Sequence, residues 1–178
     1  VSIEKNKIKS LKQAMNCDPV SAFGGIISCN FKIDKRVAIE LNKIFLEIVA
    51  GKGISDDALQ ILKRKKNLRI IDISKFSYKN YMSVKSFDGS FIIQNRNDKM
   101  VKRKEMKCVT KLKPSKQELA EIEFAFNACK YVKSNAIVIC NNFSTIGIGG
   151  GQPSRVDSCK IAIQKAKKFQ PRKVANSI

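Results

Sequence analysis

The chain contains no histidine and no tryptophan among its 178 residues, and only three tyrosines. Lack of histidine removes the commonest general base and the commonest metal ligand from this stretch. The six cysteines stand at 17, 29, 108, 129, 140 and 159, with no C-x-x-C spacing, so neither a zinc site nor a disulfide framework is expected. No apolar run approaches the ~18 residues that a membrane span requires, and no signal-peptide pattern is seen. Acidic residues are scarce, 15 against 35 basic ones, and only seven of the basic residues are arginine, the side chain suited to forked phosphate and base contacts.

What is present is a globular composition, 43% hydrophobic, with a net charge of +20. Such a charge is read either as lysine filling solvated faces or as a polyanion-binding surface; the scatter of lysine through every segment favours the first. Cys29, Cys129, Cys140 and Cys159 fall on apolar runs and read as buried, reduced thiols of a cytoplasmic protein. The chain opens on Val1 rather than methionine and ends in polar sequence, and is read as a fragment of something longer.

Helix and strand signals alternate over the first 73 residues. Helices are expected over 3–15 (Ile8, Leu11 and Met15 inward), 34–43 (Val37, Ala38 and Leu41 inward) and 55–66, where Ser55 caps and Lys63–Lys66 offset the negative helix end. Strands are expected over 26–29, 45–50 and 68–73. Glu47 is the one acid in its strand: it either points to solvent or accepts hydrogen bonds from a ligand. This alternation predicts an α/β layer with a largely parallel sheet. Residues 74–82 read as a polar loop and 83–94 as a hairpin turning at Asp88-Gly89. Residues 95–107 form a polar connection, which divides the chain into lobes of 1–107 and 108–178. Ser115 and Glu118 form a capping box for a helix with Leu119, Ile122, Phe126 and Cys129 inward.

The densest stretch is 133–168, KSNAIVICNNFSTIGIGGGQPSRVDSCKIAIQKAKK. It reads as a strand over 136–140, a turn at Asn141-Asn142, a second strand over 145–148, Gly149-Gly150-Gly151, then a helix. Ser154 caps that helix, Asp157 stands in the capping-box position, and Val156, Cys159, Ile163 and Ala166 form the apolar stripe. Consecutive glycines permit positive φ and close approach of a bound group. With a helix N-terminus and Arg155 adjacent, the loop is either an anion site or a tight turn. It is neither a Walker loop nor G-x-G-x-x-G, because Gln152 stands where the last glycine belongs, and this disfavours a dinucleotide-binding domain.

KSNAIV with TIGIGGGQPSRVDS resembles the formyltransferase motif of the bifunctional purine-biosynthesis family, aminoimidazole-carboxamide ribonucleotide transformylase/IMP cyclohydrolase. DPVSAFGGII at 18–27, FLEIVAG at 45–51 and IIQNRND at 92–98 are similar to other blocks of that domain, in order, so the likeness spans nearly the whole chain. The resemblance implies layered, cytidine-deaminase-like α/β lobes, and a site completed across a homodimer. It also implies transfer of a formyl group from 10-formyltetrahydrofolate, as cosubstrate, to the 5-amino group of aminoimidazole-carboxamide ribonucleotide. By the same resemblance Asn135 is catalytic and contacts the nucleotide, and Gly24, Glu47 and Arg155 bind it. Val156 lies against the folate. No metal, nucleic acid or membrane partner is implied, and the deaminase zinc motifs are absent.

The sequence also departs from that pattern. The family's Lys-His pair belongs to a K-H-x-N-P motif expected upstream of Val1, and the distal folate-binding segment S-D-A-F-F-P-F and the cyclohydrolase domain are not among these residues. Gly51, Gly150 and Pro153 replace the family's usual residues. The fragment is therefore expected to be inactive alone. A lysine-rich nucleic-acid-binding α/β module is the alternative, distinguished by basic residues gathered on one face and by steep salt dependence.

Overall fold

Asp34 opens the first well-buried helix by accepting a hydrogen bond from the Val37 N–H at 3.1 Å. In the computed structural model, which describes residues 1–77, 82–175 and 177, that helix is one of three covering a parallel sheet. The elements are α1 (Lys7–Asn16), α2 (Pro19–Ala22), β1 (Gly25–Cys29), α3 (Lys35–Asn42), β2 (Leu46–Gly51), α4 (Asp56–Leu62) and β3 (Arg69–Asp72). The sheet order is β1-β2-β3, both pairings parallel, with Gly25 opposite Leu46 and Ile48 opposite Arg69. Leu11, Ile33, Val37, Ala38, Leu41, Leu46, Val49, Ala58 and Leu62 form one buried cluster. Full burial of each large aliphatic side chain is worth about 1.5–3 kcal/mol. The other sheet face is bare among the described residues, with Ile26 68% exposed.

The helix expected over 3–15 starts only at Lys7, capped by Asn6. Residues 1–3 are extended instead: Ser2 bridges Ser144, the Ile3 N–H donates to the Phe143 carbonyl at 2.9 Å, and the Thr145 N–H donates to the Val1 carbonyl at 2.9 Å. α4 ends at Leu62, so Lys63–Lys66 lie beyond its last turn. Lys65 donates to the Ile44 and Leu41 carbonyls at the end of α3, so it compensates the neighbouring helix rather than its own.

The hairpin forms as expected: β4 (Ser83–Phe87) pairs antiparallel with β5 (Ser90–Gln94). Asp88 and Gly89 at φ 43° and 73° make the twist-matched turn. The polar loop expected over 74–82 lies partly outside the described residues. The connection over 95–107 is strapped to α5 (Lys116–Cys129) rather than loose on the surface. Asn127 exchanges hydrogen bonds with the Val101 backbone at 3.0 and 2.9 Å, and Arg103 lies 2.7 Å from Glu123.

The remaining elements are β6 (Ile137–Asn141), β7 (Ser144–Gly149), α6 (Arg155–Phe169) and α7 (Pro171–Val174). β6 and β7 form a separate antiparallel pair, so among the described residues the architecture is mixed α/β: the parallel sheet expected over the first 73 residues forms, with two antiparallel pairs in addition. The turn falls at Asn142-Phe143, one residue later than expected, both residues at positive φ.

Two expected apolar stripes face inward only in part: Ala166 is fully buried as expected, while Leu119, Ile122, Cys129 and Cys159 are half-buried. α5 buries Glu121, Phe124 and Ala125 and leaves Phe126 58% exposed. The reason is polar: the β6–β7 turn presents the Asn142 N–H, and Glu121 accepts it at 2.9 Å, while Phe124 meets Phe143 edge-on at 6.2 Å. α6 buries Ser158, Ala162 and Ala166, and exposes Ile163 and Val156. Here the reason is clearance. A Cβ at Gly147 would fall 2.2 Å from the Ala162 carbonyl oxygen, and one at Gly149 would fall 1.9 Å from that of Ser158. β7 and α6 thus touch backbone to backbone, and only small residues fit between them.

All six cysteines are free thiols, with Cys17, Cys29 and Cys140 buried, Cys129 and Cys159 half-buried and Cys108 exposed. Burial pushes Cys29 and Cys140 up to about 11. The burial expected of Cys129 and Cys159 is therefore only partial, because each lies toward the edge of its helix stripe.

Candidate functional site at the head of α6

The glycine loop closes on the protein itself. The Gly151 N–H donates to the Lys133 carbonyl at 2.6 Å, and the Asn135 N–H donates to the Gln152 carbonyl at 3.0 Å. Of the three consecutive glycines only Gly151 has positive φ, +70°. Gly149 is needed for contact with α6, and a Cβ at Gly150 would strike Val132 Cγ1 at 2.4 Å. Of the two readings left open for the run, an anion site or a tight turn, two positions answer to close approach of the chain's own atoms. Ser154 caps α6 through the Asp157 N–H at 3.4 Å, one half of the expected capping box.

Asn135 sits against this loop. Its Nδ2 donates to the Gln152 carbonyl at 3.0 Å and to the Pro153 carbonyl at 2.8 Å. Both neighbours are pure acceptors, so the amide must present nitrogen to them, and Oδ1 is the end turned away. The Ser134–Asn135 peptide bond is cis. Arg155, the first residue of α6, is exposed and has no ion pair among the described residues. Next to it, Val156 is 61% exposed, an apolar side chain standing in solvent.

Gly24 and Glu47 lie together elsewhere, at the leading ends of β1 and β2. Gly24, at φ +70°, donates its N–H to the Phe45 carbonyl at 2.9 Å, and the Phe23 and Phe45 rings stand 5.4 Å apart. Glu47 points to solvent with Arg69 at 3.9 Å. The structure therefore groups the predicted residues in two pairs, Asn135 with Arg155 and Gly24 with Glu47. Five surface hollows of about 340–570 Å³ are described, and none is lined by any of the four.

What connects the pairs was not foreseen. Asp18 caps α2 through the Ser21 N–H at 3.1 Å and its hydroxyl at 2.9 Å, and the same carboxylate receives Lys165 Nζ of α6 at 2.6 Å. Burial alone would raise the Asp18 carboxyl, but the bonds from Lys165 and Ser21 and the Lys165 charge hold it below 3.8. Lys165 lies ten residues, about 15 Å, along α6 from Arg155. Asp18-Pro19 was legible only as a turn, and nothing in sequence points to a lysine 147 residues away. Ser158 was likewise missed: its Oγ donates to the Asn135 carbonyl at 2.7 Å.

Among the described residues, no group of three or more His, Cys, Asp or Glu is placed to hold a metal ion, and no helix is long and apolar enough to cross a membrane. Several lysines are spent within the fold: Lys65 on carbonyls, Lys165 on Asp18, Lys7 on Asp34, Lys9 on Glu4, and Lys12 and Lys43 together on Glu40.

Comparison with known proteins bears on the same blocks. Residues 1–165 match the AICARFT/IMPCHase bienzyme family. A bifunctional purine biosynthesis protein PurH of Prochlorococcus marinus is 46% identical over 170 residues, covering 94% of this chain and 33% of the relative. One from Clostridium kluyveri is 44% identical over 156 residues, covering 88% of this chain and 31% of the relative. The chain thus spans about a third of the length of these relatives. With a match that runs through every block carrying Gly24, Glu47, Asn135 and Arg155, this chain belongs to the AICARFT/IMPCHase bienzyme family.

Proposed function

We propose that this chain is part of the formyltransferase of de novo purine (IMP) biosynthesis in the cytoplasm, carrying residues that bind aminoimidazole-carboxamide ribonucleotide and help accept a formyl group from 10-formyltetrahydrofolate. The observation that carries this reading is the anchoring of the Asn135 amide to the Gln152 and Pro153 carbonyls, just ahead of Arg155, the first residue of α6, whose guanidinium is unpaired among the described residues.

The chemistry demands such an arrangement. The 5-amino group is a poor nucleophile because its lone pair is delocalised into the ring and carboxamide. A fixed hydrogen-bond acceptor on one amine N–H aims that lone pair at the formyl carbon, and Asn135 Oδ1 is such an acceptor. Arg155, beside the free N–H groups of the helix end, suits the ribonucleotide phosphate. Exposed Val156 offers an apolar wall for the pterin of the folate. Gly24 and Glu47 supply a backbone approach and a carboxylate acceptor; a second copy of the chain would bring such separated pairs to one ligand, as a homodimer does.

With no histidine in these residues, the isolated chain is expected to bind the ribonucleotide but not to turn it over. Calorimetry should show binding that Arg155→Ala weakens about tenfold, the worth of one charge-assisted contact. Absence of binding overturns the reading, whereas formyl transfer by these 178 residues alone would refute only the expected inactivity. In the longer family protein, Asn135→Ala should lower kcat far more than thermal stability; normal turnover would remove Asn135 from the mechanism.

A further inference from the structure

We infer that Ser158 is a positioning residue for Asn135, and that what it positions is an acceptor for an N–H donor of the ligand. The inference rests on the reading just given for the site. Ser158 is fully buried in the second turn of α6, and its Oγ donates to the Asn135 carbonyl at 2.7 Å; the alternative acceptor, the Ser154 carbonyl, is farther at 3.4 Å. A buried hydroxyl has no water to fall back on, so it holds its partner in one place.

Together these contacts account for nearly every polar atom of Asn135. Its carbonyl accepts from Ser158, its N–H donates to Gln152, and Nδ2 donates to Gln152 and Pro153. Oδ1 alone is left without a partner among the described residues. Three of the bonds grip the residue from the glycine loop, and the fourth grips it from the helix. The bond from the Ser158 hydroxyl to the Asn135 backbone matters because the loop-side bonds alone would let Asn135 and the loop shift together relative to Arg155. Ser158 fixes them to the rigid helix whose first residue is Arg155. The Ser158 backbone also abuts Gly149, which holds the start of α6 against β7.

An oxygen held this way selects for a donor. A ribonucleotide bearing a 5-amino group should bind better than the analogue with hydrogen at that position, and the preference should depend on Ser158. The test compares the two ribonucleotides on the 178-residue chain by calorimetry, for the unchanged protein and for Ser158→Ala, Ser158→Cys and Asn135→Ala. The unchanged protein should favour the amino compound about tenfold, a single neutral hydrogen bond. Asn135→Ala should abolish the preference. Ser158→Ala should reduce it to about twofold while affinity for the hydrogen analogue, held through its phosphate, is unaltered; a merely structural role would weaken both ligands alike. Ser158→Cys, a weak donor of similar size, should restore part of it, and covers the case in which the alanine variant does not fold.

If the unchanged protein binds neither compound, the proposed function fails and takes this inference with it. If it shows the preference, Asn135→Ala loses it and both Ser158 variants keep it in full, the positioning role alone is overturned.

Discussion

Lys165 Nζ rests 2.6 Å from the Asp18 carboxylate, so α6 is bolted to the turn that leads to Gly24. The carboxylate also caps α2, and one atom group therefore serves both the loop and the junction. The folded protein holds the Asp18 carboxyl below 3.8, its ordinary value. A lowered carboxylate stabilises the fold above its unfolded-state value, and that contribution disappears as pH falls through the lower folded-state value. Acid titration of the thermal midpoint should show a loss beginning below about pH 4, and Asp18→Asn should flatten that part of the curve. At neutral pH the variant should lose about 1 kcal/mol, a fall of roughly 2–4 °C by calorimetry. An unchanged acid limb would show that Lys165 does not stabilise this carboxylate.

Gly149 and Gly151 should respond unequally to the same change. A methyl at Gly149 meets the Ser158 carbonyl at 1.9 Å and must push β7 off α6, so Gly149→Ala should cost about 3 kcal/mol or more. At Gly151 nothing stands within 4 Å, and the only penalty is its φ of +70°, about 1–2 kcal/mol. Denaturant unfolding of the two variants reads the difference directly. Equal effects would mean that the strand and helix are not in backbone contact.

Glu121 is 5% exposed and accepts from the Asn142 N–H and Gln117 Nε2. Glu121→Ala removes the acceptor of the Asn142 N–H and should cost about 1–2 kcal/mol, whereas Glu121→Gln retains an acceptor and should cost less. Equilibrium unfolding should rank the alanine variant clearly below the glutamine one; the reverse order would remove Glu121 from the turn.

Thiol reactivity should follow burial. Cys108 is exposed, while Cys29 and Cys140 are buried and pushed to about 11. At pH 8 an alkylating reagent should modify Cys108 first and leave Cys29 and Cys140 intact until the protein unfolds. Mass mapping that finds Cys140 labelled in the native state would contradict the packing of α5 on β6.

Elements whose signals are local were legible from residue order. Ser55, Ser115 and Ser154 each cap the helix they precede, and Asp88-Gly89 turns the hairpin, because a cap or turn is completed within a few residues. The site was legible only as family blocks, and the residues that brace it were not. Hydrophobic periodicity failed on α5 and α6 for one shared reason: it assumes that large apolar residues mark the inward face. Here a buried acid answers a turn N–H on one helix, and glycines on the facing strand demand alanine and serine on the other.

By itself the order of residues determined most of the succession of helices and strands in the first 73 positions, the Ser55 cap, the hairpin and the family, all of which depend on neighbours in sequence. Tertiary structure alone decided which face of α6 turns inward, that the glycines serve the chain's own packing, and that Ser158 and Gln152 grip Asn135. It alone decided that Asp18 meets Lys165. These are contacts across 17 to 147 positions. Their geometry is set by how closely two backbones approach, and no local pattern of side chains records that distance.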